Sequence, residues 1–192
     1  MQSERTGTLA DGVRGVAIVT GLASVLAMVA LLAFFTVGAP FGGLNDILNG
    51  VVGVLSGILA IMVYRTAGGS AGLVGLAVAG AVITVIGSWL IVSGTTGFVM
   101  AGNVSAAGFG LIGAWLLHAN ASALGAALPR LQSRVGVVAG AVMLVGVVAI
   151  SGVVTGVDSV AAEPWWITLS GASWLGTLLL YPAWCLLFLR RG

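Results

Sequence analysis

Lysine is missing altogether, and seven arginines with five acidic residues make up the formal charge of this 192-residue chain. Charged residues are 6% of the sequence, against about 25% in soluble domains, too few to clothe a water-facing surface. A single cysteine, Cys185, excludes an internal disulfide and a cysteine-cluster metal site. A single histidine, His118, excludes bis-histidine haem ligation. No HExxH, GxSxG or P-loop pattern and no paired carboxylates occur, so no convergent catalytic set can be assembled. The sequence is therefore read as non-enzymatic, with no catalytic residue, no metal site and no cofactor. The pI near 9.3 is not a nucleic-acid signal, because the arginines are scattered at segment ends and form no patch.

What remains is apolar. Hydrophobic residues are 59% of the chain and the mean hydropathy is +1.19, so lipid is the expected solvent for most side chains. The expected fold is all-α: a polytopic integral membrane protein with six transmembrane helices and both termini cytoplasmic. Residues 1–14 are read as a polar cytoplasmic tail and 15–192 as one membrane domain, with spans at about 15–37, 46–64, 71–93, 104–126, 135–155 and 167–189. The first apolar run exceeds the 7–15 residues of a signal-peptide core, so it is taken as a retained helix. Pro182 is expected to kink the last span.

This threading puts Arg5, Arg14, Arg65, Arg130, Arg134, Arg190 and Arg191 inside and Asp46, Asp158 and Glu163 outside, in accord with the positive-inside rule. Trp89, Phe98, Trp165 and Trp166 then fall near the outer boundary and Tyr64, Tyr181, Trp184 and Phe188 near the inner one. The hairpin from Arg14 to Arg65 resembles that from Arg134 to Arg190 in length and flanking arginines, which suggests a tandem repeat.

The stretch Leu44 to Arg65 is read as the central helix. Asp46, Gly50, Gly53, Gly57 and Ala60 recur at helical spacing on one small-residue stripe, the kind that lets backbones approach closely in lipid. Gly136 and Gly140 repeat that pattern in the fifth span. Asn45 or Asp46 is expected to cap the central helix. Asn45, Asp46, Asn49 and Asn103 form a candidate polar site at an outer mouth, with His118 and Asn120 nearer the inner side.

The runs GLIGAWLLHANASAL, RVGVVAGAVMLVGVV after a Leu-Pro-Arg loop, and SWLGTLLLYPAWCLLFLRR resemble small actinobacterial and chloroflexal membrane proteins of the DUF4386-like type. The resemblance covers mainly the second half. It implies a multi-span helical fold and carries no activity or site residues. An all-arginine basic set in an Ala/Gly/Val-rich chain points to GC-rich bacterial coding, hence the bacterial inner membrane. Two function classes follow. One is an accessory or assembly subunit that packs through its glycine faces within a larger complex or homo-oligomer; the other is a small transporter or channel. Membrane lipid is the one partner common to both.

Overall fold

A chain immersed in hydrocarbon has no water to satisfy its backbone, so each apolar run must close its hydrogen bonds within itself. The computed structural model describes residues 2–191, with the side chains of residues 2–10, 123 and 191 outside that description. All regular structure among the described residues is helical. Six helices are long and apolar enough to cross a membrane: α1 (Gln2–Val37), α2 (Phe41–Ala67), α3 (Ala71–Val92), α4 (Phe98–Ala121), α5 (Arg130–Thr155) and α6 (Trp165–Arg190). The chain is a multi-pass helical membrane protein.

The helix starts differ from the sequence reading, each for a local reason. Residues 2–14 continue α1 as helix instead of forming a tail, because no proline interrupts them and propagation from an established helix fixes only one further residue per bond. α2 starts at Phe41 and not at Asn45 or Asp46, since Pro40 suits a helix start and its carbonyl already accepts from Leu44 N at 3.2 Å. α4 starts at Phe98, inside the segment expected to be loop. α5 starts at Arg130, directly after Pro129. Gly68 at φ +75° and Gly156 at φ +72° close α2 and α5 with backbone that favours glycine.

Neighbours in sequence are neighbours in space: α1 packs on α2, α2 on α3, α3 on α4, α4 on α5 and α5 on α6, and α6 returns to α1 to close the ring. α4 also touches α2 and α6, so it lies innermost. Its most apolar stretch is 72% buried against 50% for that of α2, which moves the central role from α2 to α4. The cause is composition, because Asn103, Ser105, Gly108, Gly110 and Gly113 let α4 be surrounded closely and give it little to offer lipid.

α5 and α6 are irregular. α5 tightens to a 3-10 turn at Val145–Ala149, and α6 widens to a π turn at Gly176–Leu180 just before Tyr181 and Pro182. Proline at 182 has no N–H to give the carbonyl of residue 178, which frees the preceding turn to widen.

The five arginines with described side chains, Arg14, Arg65, Arg130, Arg134 and Arg190, lie at one end of the bundle, and Asp46, Asp158 and Glu163 at the other. These are called the arginine end and the acidic end.

Candidate functional site

The acidic end is joined by a long-range cap. Asp158, in the α5–α6 connection, accepts from Gly97 N at 2.8 Å through Oδ2 and from Met100 N at 3.0 Å through Oδ1. Two of the orphan donors that open α4 are thereby satisfied, with the carboxylate at the positive end of the helix dipole. This explains the early start of α4. Replacing Asp158 by alanine is expected to cost about 1 kcal/mol, the usual size of a lost cap, while asparagine retains most of it. Melting of both variants in detergent checks this, and equal losses for the two would remove the cap from the account.

Beneath this end the helices leave a cavity of about 370 Å³. α1 contributes Leu31 and Phe35; α2 contributes Asn45, Asp46 and Asn49; α4 contributes Phe98, Gly102, Asn103 and Ser105; the α5–α6 connection and α6 contribute Glu163, Ser170 and Trp174. Two carboxylates line it and no arginine or histidine does.

The polar wall is partly held in place. Asn45 Nδ2 donates to Ala27 O on α1 at 2.8 Å, and Asn45 Oδ1 accepts from Asn49 Nδ2 at 3.1 Å. One amide thus ties α1 to α2 while orienting the next amide a turn deeper. Asn103 is 6% exposed and its Nδ2 has no hydrogen-bond partner. Its nitrogen rests against the bare Cα of Gly152 on α5, where a Cβ would stand 2.8 Å away. An unpaired amide so deeply buried is costly, and a turn about the broad χ2 torsion would be needed to offer it to a ligand in the cavity.

Below the cavity the interior is closed. Tyr181 and Trp184 are fully buried and stacked with ring centroids 6.1 Å apart, and Phe188 meets Trp184 edge-on at 5.4 Å. Tyr181 Oη and Ser56 Oγ share a hydrogen bond of 2.8 Å across to α2. Trp184 Nε1 donates to Asn120 Oδ1 at 2.9 Å, Gln132 Nε2 donates to Trp184 O at 3.3 Å, and Ser133 Oγ donates to Asn120 O at 2.9 Å.

Of the polar residues singled out in the sequence, Asn45, Asp46, Asn49 and Asn103 come together around the cavity. His118 and Asn120 do not join them. His118 is exposed near the arginine end beside a notch of about 20 Å³, and Asn120, 2% exposed, serves as the acceptor that seats Trp184. Neither Asn45 nor Asp46 caps α2. The small residues Gly50, Gly53 and Gly57 face Ser88, Thr84 and Ala81 on α3, Ala60 is fully buried, and Gly136 and Gly140 face Asn120 and Leu117 on α4. Glu163, Phe35 and Phe98 escaped the sequence reading as site residues. They come from separate elements, and only their shared end of the bundle hinted at a meeting.

Among the described residues no three His, Cys, Asp or Glu side chains converge to hold a metal ion. No family model matches this chain, and no match is found among curated proteins or solved structures. Fold and site define a multi-pass helical membrane protein with an acidic, partly apolar cavity at one end.

Proposed function

We propose that this is a small non-catalytic transport protein of a bacterial cell membrane, with both termini cytoplasmic and the cavity open to the outside. The cavity carries the reading: a volume of about 370 Å³ in a 192-residue bundle, lined mainly by apolar and aromatic side chains with a few polar groups among them, is the form a solute site takes. Sidedness is argued from charge, since the arginine end matches the positive-inside rule. Closure below by Tyr181, Trp184 and the Ser56 hydrogen bond fits an outward-open, inward-closed state of an alternating-access protein. The accessory-subunit reading is less well supported, because Gly50, Gly53, Gly57, Gly136 and Gly140, the faces it needs for a partner, are taken by the chain's own helices.

Gly102 provides the test. It lines the cavity, and a Cβ there meets nothing within 4 Å, so Gly102→Cys adds a thiol without a clash. The native Cys185 is fully buried and stays silent. A membrane-impermeant maleimide is expected to label Gly102→Cys in intact cells. Labelling only after permeabilisation would invert the protein, and no labelling in either condition would close the cavity and end the transport reading.

A further inference from the structure

We propose that the cavity binds a small organic ammonium ion carrying an aromatic or alkyl body and one oxygen acceptor. This rests on the cavity opening outward as proposed above, and it adds the chemical class of the solute. Three independent features of the wall point to it. The first is charge: Asp46 and Glu163 line the space with no basic side chain among the lining residues, so an anion would meet only repulsion and a cation finds two counter-charges. The second is apolar area: Phe35, Phe98 and Trp174 line the space from α1, α4 and α6 and give it aromatic surface to shelter an apolar body, and aromatic rings are the side chains that attract an organic cation. A bare metal ion would leave that apolar surface unused, and oxygen ligands alone would suffice for it. The third is Asn103, a deeply buried residue of the cavity wall whose Nδ2 is unpaired against Gly152 and would become a donor to a bound oxygen on turning about χ2.

Asp46 is half-buried near the start of α2, and Glu163 lines the same space from the α5–α6 connection, just before Pro164. Carboxylates delivered by two different elements allow the ammonium group to be met without crowding both charges onto one helix. The Asn45–Asn49 hydrogen bonds hold the polar wall beside Asp46 in place.

Gly102→Cys also reads binding, because an occupant of the cavity shields the thiol. Benzoylcholine is a suitable probe: an aromatic ester with a quaternary ammonium. Its neutral carbon isostere, 3,3-dimethylbutyl benzoate, has the same shape without the charge. In purified protein reconstituted in nanodiscs, benzoylcholine is expected to slow maleimide labelling at about tenfold lower concentration than the isostere. Asp46→Asn and Glu163→Gln, each made in the Gly102→Cys background, are expected to remove most of that difference. Asp158→Asn neutralises a carboxylate at the same end but outside the cavity wall, and is expected to change the protection by no more than about twofold. Efficient labelling with equal protection by cation and isostere would overturn the ammonium assignment while leaving the cavity reading intact. A loss with Asp158→Asn as large as with Asp46→Asn would also overturn it, since attraction would then come from diffuse surface charge. Failure of the thiol to label at all would remove both.

Discussion

Trp184→Ala is expected to lower the stability of the folded protein by about 3–5 kcal/mol, the cost of emptying a large aromatic site that cannot collapse. The indole is fully buried, stacks on Tyr181, meets Phe188 edge-on and donates to Asn120 Oδ1 at 2.9 Å, so its removal leaves a void and an unpaired acceptor together. Trp184→Phe separates these contributions. It keeps most of the packing and loses the donor, and in a bilayer-embedded protein the lost hydrogen bond is expected to account for about 1–2 kcal/mol of the total. Thermal unfolding in one detergent, followed by tryptophan-independent light scattering, ranks the three proteins. A Trp184→Ala protein that melts within a degree of wild type would mean that this layer is not packed, and the closed floor of the cavity would go with it.

Much of the fold was open to reading because lipid imposes few choices. Runs of about 20 apolar residues between Gly, Pro and Arg turns are sufficient to count spans. Which span lies innermost is a different question. The small stripe of α2 drew attention, yet spacing reports only that a helix is approached closely on one side. α4 is approached from several sides, and its mean hydropathy of 1.4 is the lowest of the six spans, since a helix that meets protein all round need not attract lipid. Low hydropathy within an otherwise apolar chain was the readable sign.

Helical phase also sorts the polar residues. His118 and Asn120 are two positions apart and so point roughly 200° away from one another, which places one outward and the other in the core. Asn45 and Asn49, four apart, share a face and both reach the cavity. The cap of α4 had no local signature, because Asp158 lies 58 residues from Met100 in sequence and only the assembled bundle brings them to 3.0 Å. Glu163 was beyond reach for the same reason. A local window predicts what a residue does for its own helix, whereas Asp158 caps another one and Glu163 lines a cavity built by several.

The α4–α5 seam is where a single carbon is expected to do most damage. Gly140 sits against the backbone of α4, and a Cβ placed on it would contact Leu117 N and lie 2.7 Å from Leu117 Cα and 2.8 Å from Gly113 O. The relation is reciprocal, since a Cβ on Gly113 would lie 2.6 Å from Met143 Cβ and 2.9 Å from Gly140 O. Obstacles made of backbone cannot turn aside as a side chain does, so the two helices must separate along their length. Gly140→Ala is expected to cost about 1–3 kcal/mol from overpacking, and Gly140→Leu to prevent accumulation of folded protein in the membrane. Gly57 is a milder case, because a Cβ there would meet the Ala81 methyl at 3.0 Å and no backbone atom of α3 nearer than Val78 Cα at 4.0 Å. Gly75, exposed on α3 with nothing within 4 Å, is the control, and alanine there is expected to be neutral or to gain up to about 1 kcal/mol from helix propensity. The expected melting order in detergent is Gly75→Ala highest, then Gly57→Ala, then Gly140→Ala. If Gly140→Ala melts with Gly75→Ala, α4 and α5 do not touch at their backbones, and α4 loses its place at the centre of the bundle.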